Sequence, residues 1–254
     1  MYAFERAVDL GVDVLETEIH STADGVLVLM HDSTVVRTTS GTGPVNSFTL
    51  EEIKALDAGF NWSNDGGRTF PFRGGGITVP TLEEVFTAFP NIRINVDVKQ
   101  LEPSLLDPLC RMIRTFAVTD KVMVASFHSR VLKVFRRMCP EVASSFSARE
   151  VTLFYLMNLA FLGSAYRTTA CALQVPEYQG KLHLPTRRFV DTAHILNLKV
   201  HVWTINETSD MLRLLNLGVD GIITDYPDRL MRLLGRNLTR IRANTPHPGT
   251  HPES

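Results

Sequence analysis

The sequence predicts an α/β fold built on a parallel sheet, either doubly wound and open or closed as a (β/α)8 barrel, on three observations. Seven strand-like apolar runs recur along the chain, at residues 13–19, 92–98, 121–126, 142–146, 170–175, 198–204 and 220–224. Between them lie stretches with apolar residues at three-to-four spacing, at 81–89, 103–116, 129–138, 186–196 and 208–217, the period of a helix with one buried face. Parallel strands need such a crossover helix between them. Third, no glycine-rich turn follows the first run at Ile19, where an open dinucleotide-binding sheet usually carries one.

The chain opens with an amphipathic helix at 2–10 that lacks the apolar stretch and cleavage site of a signal peptide. It runs straight into the first strand. A second apolar run, 26–30, follows through Ala23-Asp24-Gly25, a hairpin turn. Residues 32–76 are rich in Gly, Ser, Thr, Asn and Pro, with 50–56 as their one clear helical piece. They are expected to form a loop insertion after the second strand, lying over one end of a barrel, where function concentrates. Seven parallel runs are one short of a closed eight. Because a helix comes first, the expectation is that the first barrel strand is missing from this chain and lies upstream of Met1. The domain is expected to span 1–235, with 236–254 as a disordered tail.

A chain of 254 residues with 44% hydrophobic content can bury a sizeable core. Charge is nearly balanced, 26 Lys plus Arg against 27 Asp plus Glu, so no overall field draws in nucleic acid, and an anionic substrate must be held locally. Cys110, Cys139 and Cys171 are widely spaced and read as small core residues of a reducing compartment, which makes the expected location cytoplasmic. The longest apolar run, 151–162, is interrupted by Asn158 and falls well below the ~20 residues that span a bilayer. A buried helix is expected there. The alternative is peripheral membrane contact, with its Phe, Tyr and Leu surface against lipid or an acyl chain.

Glu16 and Glu18 are two apart in a strand, so both leave the same face. Two carboxylates that close raise each other's pKa unless a cation lies between them. Oxygen ligands favour Mg²⁺ or Ca²⁺ over zinc, although paired acids on a wet strand face are also common. Asn95, Asp97 and Lys99 alternate with Val96 and Val98, putting an amide, an acid and a cation on one face, for a metal site or a structural ion pair. His31 follows the run at 26–30, where a lone histidine is usually structural or simply exposed, although imidazole is the side chain best suited to proton transfer near neutral pH. Trp203, by itself, is more often core than a ligand platform.

Jointly these segments resemble the glycerophosphodiester phosphodiesterase family. The resemblance rests on Ala-Phe-Glu-Arg-Ala-Val-Asp-Leu-Gly-Val-Asp-Val-Leu-Glu-Thr-Glu at 3–18, Thr-Ala-Asp-Gly-Val-Leu-Val-Leu-Met-His-Asp at 22–32 and Arg-Thr-Thr at 37–39. Val-Pro-Thr-Leu-Glu-Glu-Val-Phe at 79–86, Ile-Asn-Val-Asp-Val-Lys at 94–99, Val-His-Val-Trp-Thr-Ile-Asn at 200–206 and Gly-Val-Asp-Gly-Ile-Ile-Thr-Asp-Tyr-Pro at 218–227 continue it. The resemblance implies a TIM barrel that hydrolyses glycerophosphodiesters to an alcohol and sn-glycerol 3-phosphate with a divalent cation. It implies Glu16, Glu18 and Asp97 as metal ligands, His31 as one of two catalytic histidines, Lys99 as a charge partner of the phosphate, and Trp203 beside the glycerol or leaving group.

The chain departs from the family pattern in two ways. Glu18 stands where the family has Asp, and Asp97 where it has Glu, an exchange of side-chain length that Ca²⁺ tolerates better than Mg²⁺. The His-Arg-Gly and Glu-Asn-Thr motifs that supply the second histidine do not occur in this sequence. Two rivals follow. One is a catalytically inactive barrel that only binds phosphodiesters. The other is a lysophospholipase D, with the apolar stretch 146–161 and the loop residues Phe60, Trp62, Phe70 and Phe72 accepting an acyl chain.

Overall fold

The computed structural model describes residues 1–102 and 104–236. Its strands are β1 (Val14–Ser21), β2 (Leu27–Leu29), β3 (Arg93–Val98), β4 (Val122–Ala125), β5 (Ala143–Ser144), β6 (Ala172–Pro176), β7 (Tyr178–Gln179), β8 (Leu182–His183), β9 (Lys199–Trp203) and β10 (Gly221–Ile222). The helices are α1 (Tyr2–Asp9), α2 (Leu50–Lys54), α3 (Leu82–Ala88), α4 (Leu106–Thr115), α5 (Ser129–Met138), α6 (Ala148–Leu159), α7 (Arg187–Ile195), α8 (Thr208–Leu217) and α9 (Pro227–Leu233).

All seven expected parallel strands form, in the order β1-β3-β4-β5 and β6-β9-β10, and a parallel bridge from Ser145 to Ala172 joins the two arcs. This is the curved parallel sheet of a (β/α)8 TIM barrel. Among the described residues β10 pairs only with β9, and β1 only with β3 and, antiparallel at its end, with β2. Arg236 donates to the Gly11 carbonyl at 3.2 Å and to Asp13 at 2.9 Å, bringing the end of the described chain back to the start of β1. Residues 237–254 of the expected tail, and Pro103 of an expected helix, lie outside the described residues.

Strand alternation sorts the side chains. Ile94, Val96 and Val98 of β3 face outward into a core shared with Leu109, Leu132 and Phe135 of α4 and α5. Phe154, Phe189 and Met211 pack on Leu173 and Val200 in a second core under α6, α7 and α8. Each such fully buried large side chain contributes roughly 1.5–3 kcal/mol. The inward faces are polar: Asn95 and Gln174 exchange hydrogen bonds across the barrel at 3.1 and 3.4 Å, and Gln174 meets His201 Nδ1 at 3.4 Å. A Cβ at Gly221 would come within 2.9 Å of the His201 ring, so this close approach requires glycine.

Helix starts follow their sequence signals. Capping boxes close α2 (Thr49, Glu52), α3 (Thr81, Glu84) and α6 (Ser147, Glu150). The insertion at 32–76 folds on a small core of its own, with Val35, Val45 and Ile53 against Val28 and Met30 of the hairpin and Val79.

Two expectations need correction, and one element was not foreseen. The apolar run at 151–162 is not a buried helix: α6 buries only Phe154 and Asn158, and leaves Leu153, Leu156, Leu159, Phe161 and Leu162 exposed. An outer-layer helix has one side against the sheet, whatever the composition of the other. Cys171 is exposed, while Cys110 and Cys139 are buried as expected. The β7–β8 hairpin, turning through Gly180 and Lys181 with Gly180 in the left-handed region at φ 61°, had no strand-like pattern to announce it.

Candidate active site

The site forms where β1, β3 and the end of the β1–β2 hairpin meet, at the C-terminal ends of the strands. Parallel register sets Glu16 beside Asn95 and Glu18 beside Asp97, so the acids of neighbouring strands share one inward face. Lys99, one step beyond β3, turns back onto them, its Nζ 2.8 Å from Asp97 Oδ2 and 3.2 Å from Glu18 Oε1. His31 Nε2 lies 3.5 Å from Glu18 Oε1. Glu16, Glu18 and His31 line one open cleft with Thr38 and Ala58 of the insertion, so the insertion does lie over this end of the barrel.

The electrostatics are those of an incompletely compensated acid cluster. Burial, then the charges of Glu18 and Asp97, raise the Glu16 carboxyl to about 7. Asp225, after β10, adds to that repulsion. Burial lowers the Lys99 pKa, but Asp97 and Glu18 more than offset it and hold the ammonium above its ordinary value. Asp97 Oδ1 is buried and has no hydrogen-bond partner among the described residues, an unsatisfied position in a fold that pairs nearly all such atoms.

His31 is oriented from its other nitrogen. Nδ1 lies 2.6 Å from Asp32 Oδ1. Arg37 binds both Asp32 oxygens, at 2.7 and 3.1 Å. Arg37 and then His31 hold the Asp32 carboxyl down at about 2, so the imidazole faces a permanent anion, which favours the proton on Nδ1 and leaves Nε2 turned toward the acids.

Every residue the sequence singled out lies in or beside this cluster. Trp203 joins it through Phe127: the two rings pack edge to face at 5.8 Å, and Lys99 Nζ sits 4.8 Å from the Phe127 centroid. Sequence reasoning missed Phe127, the Asp32–Arg37 pair and His20. His20 carries the Glu16, Glu18 alternation one step further, and burial lowers the pKa of its ring. That alternation was the available signal.

Among the described residues, no three His, Cys, Asp or Glu side chains form a preformed metal cluster; the Lys99 ammonium stands between Glu18 and Asp97. One expectation changes. The proposed acyl-accepting stretch at 146–161 does not open on this site. Phe146 and Phe154 are packed into the outer core with Tyr166, and α6 runs back from the mouth. In the insertion, Phe60 and Phe70 enclose the Arg73 guanidinium at 4.1 and 3.9 Å, and Phe72 packs on Trp62 at 4.8 Å and Tyr2 at 5.2 Å.

The glycerophosphoryl diester phosphodiesterase family matches residues 1–229. A glycerophosphodiester phosphodiesterase of Caldanaerobacter subterraneus subsp. tengcongensis is 34% identical over 238 residues, covering 91% of this chain and 90% of the relative. The glycerophosphoryl diester phosphodiesterase domain of a Mycobacterium tuberculosis protein superposes with a TM-score of 0.79 at 22% identity, over 92% of both chains. A phosphodiesterase of Oleispira antarctica, solved with its product sn-glycerol-3-phosphate, gives a TM-score of 0.71 at 22% identity, over 92% of this chain and 90% of that one. With the fold, the acid cluster and the sequence match in agreement, this chain belongs to the glycerophosphoryl diester phosphodiesterase family.

Proposed function

We propose that the barrel mouth hydrolyses glycerophosphodiesters to an alcohol and sn-glycerol 3-phosphate, with Glu16, Glu18 and Asp97 holding a divalent cation. The observation that carries this reading is the cluster itself. Glu18 and Asp97 share one ammonium beside Glu16, an oxygen of Asp97 has no hydrogen-bond partner among the described residues, and an imidazole stands 3.5 Å from the same carboxylate that Lys99 touches. All-oxygen donors of this kind suit Ca²⁺ or Mg²⁺, and the unpartnered Asp97 oxygen fits a ligand position. When bound, the cation supplies Lewis-acid stabilisation of the phosphoryl oxygens.

The chain's own residues do the rest. Lys99 pairs with the anionic phosphodiester and with the charge that grows on it in the transition state. His31 moves a proton at Nε2: it takes one from the glycerol hydroxyl that attacks phosphorus, or gives one to the alcohol oxygen as its P–O bond breaks, and water then opens the cyclic glycerol phosphate to sn-glycerol 3-phosphate, while Asp32 and Arg37 fix the ring's tautomer. Trp203 and Phe127 form an apolar wall beside the glycerol or the leaving alcohol. The test is glycerol 3-phosphate release from glycerophosphocholine by the full chain with Ca²⁺ or Mg²⁺ present. Release that His31→Asn reduces is expected; binding of glycerophosphocholine without release of choline under either metal contradicts the reading and favours a binding-only barrel.

A second reading, lysophospholipase D acting at a membrane, is favoured by one observation: apolar side chains stand exposed in several loops around the mouth. Among the described residues no helix is long and apolar enough to cross a membrane, so such contact would be peripheral.

A further inference from the structure

We propose that the mouth end of the barrel is a docking surface for a zwitterionic phospholipid bilayer, anchored by the β7–β8 hairpin, so that a lysophospholipid is cleaved with its acyl chain still in the lipid. The substrate half of this proposal rests on the phosphodiesterase reading above; the docking half does not.

Beside those on α6 and the turn after it, large apolar side chains are left in solvent at the mouth. Trp62, Leu101, Phe127, Tyr178, Leu182 and Tyr226 are exposed, and they come from five separate loops. These are the insertion and the loops after β3, β4, β6 and β10. Loops that leave the C-terminal ends of barrel strands share one face. The result is an apolar rim around a charged centre, the polarity pattern of a surface that meets a lipid headgroup layer: the phosphate goes to the centre and hydrocarbon to the rim.

The hairpin is the most exposed part of this rim and has a firm base. Glu177 at its foot is paired with Arg213, and Leu184 N–H donates to the Glu177 carbonyl at 3.0 Å. In the ribbon Tyr178 stands opposite His183 and Gln179 opposite Leu182, so Tyr178 and Leu182 lie on opposite faces. They are 57% and 52% exposed; packing on the barrel accounts for at most one face. Lys181 at the exposed turn adds a flexible cation that can reach phosphate oxygens while its stem stays in the boundary layer. Tyr, Leu and Lys together are side chains suited to a membrane interface.

Charge selects the kind of lipid. Exposed acids (Asp65, Glu102, Asp225 and, after β9, Glu207) stand beside exposed bases (Arg37, Arg68, Arg73 and Lys181), so charge at the rim is mixed, with no strongly basic patch among the described residues to hold an anionic leaflet, and a zwitterionic one is accepted. The exposed face of α6 is the weaker candidate. α6 starts after β5, near the mouth, and runs back along the barrel, and the Phe161 ring is covered on one side by Arg188 at 4.1 Å. A membrane seated there would turn the acid cluster away from the lipid. Docking through the rim also removes the need for an acyl pocket inside the barrel, in keeping with an outer core already filled by Phe146, Phe154 and Tyr166.

The test is co-sedimentation of the full chain with phosphatidylcholine vesicles containing lysophosphatidylcholine, beside two double variants, Tyr178→Ser with Leu182→Ser and Leu156→Ser with Phe161→Ser. The unchanged chain is expected to sediment with the vesicles. The hairpin variant is expected to bind roughly tenfold more weakly or worse, about what two half-exposed apolar side chains contribute, while its turnover of soluble glycerophosphocholine stays as before. The α6 variant is expected to bind like the parent. Docking is overturned by a chain that stays in the supernatant, by a hairpin variant that binds normally, or by a hairpin variant whose only change is loss of a dimer. Vesicle binding through the hairpin in a chain that hydrolyses nothing would uphold the docking surface and sink the catalytic reading instead.

Discussion

Two aspartates at opposite ends of the sheet face very different company. Asp220, between α8 and β10, is fully partnered: Lys199 Nζ at 2.9 Å, His194 Nε2 at 2.8 Å and the Val200 N–H at 2.9 Å all reach its carboxylate. Burial alone would raise its pKa, but those three bonds outweigh it and hold the carboxyl below its ordinary range. Asp97, at the mouth, has Lys99 on one oxygen and, among the described residues, no hydrogen-bond partner on the other. An acid whose bonds are complete is a structural device that ties two strand starts together. An acid left short of partners among other acids stores unfavourable free energy, which a bound cation or a phosphate-bearing ligand can release. In a parallel barrel that division follows the two ends of the strands.

The contrast can be broken in several ways, the largest first. Replacing His31 with Asn should lower kcat for glycerophosphocholine by about 10²- to 10⁴-fold and leave the Tm within a degree or so, since the ring is exposed. Rates and a melting curve on the same preparation check this.

Asp220→Asn should do the reverse. It should cost about 1–3 kcal/mol of stability at neutral pH, with unchanged turnover, as read by urea unfolding. Because the folded-state pKa of Asp220 is depressed, its contribution is present above the unfolded carboxyl pKa and is lost as the pH falls through the folded one. The two proteins should therefore converge in acid.

Glu16 has the opposite sign. Its folded pKa of about 7 lies above the ordinary 4.5, so the preference for the protonated form stabilises the fold below the unfolded value and is lost as the pH rises through about 7. In metal-free protein at pH 8, Glu16→Gln should raise stability by an amount on the order of 1–3 kcal/mol, and the gain should vanish near pH 4. A gain that persists in acid would point to packing rather than charge. Smallest is the choice of metal. Ca²⁺ should support at least as much turnover as Mg²⁺, because Glu18 and Asp97 exchange side-chain lengths relative to the family pattern; strict Mg²⁺ dependence would contradict this.

Much of this was legible in the chain. The seven parallel strands and their helices show clear periods of two and of three to four, because each buries one face, and the observed bounds lie within about two residues of the sequence reading at most ends. Glu16, Glu18, Asp97 and Lys99 were legible because alternation alone puts them on one face. What escaped notice depends on distant partners or on short segments. Gln174 meets Asn95 across 79 positions of sequence, and nothing in either strand announces the other. Phe127 looks like any loop aromatic until β9 brings Trp203 against it. The two-residue strands of the β7–β8 hairpin are too short for a period to develop. The outward face of α6 misled because apolar content reports what a side chain is, not which way the barrel turns it.

The most direct measurement compares Asp97→Asn with Asp220→Asn, reading kcat on glycerophosphocholine and Tm from the same samples. Asp97→Asn should lose most of its turnover and melt no lower than the parent, while Asp220→Asn keeps turnover and melts several degrees lower. If Asp97→Asn instead melts early and still turns over normally, the mouth acids are structural and the account is wrong.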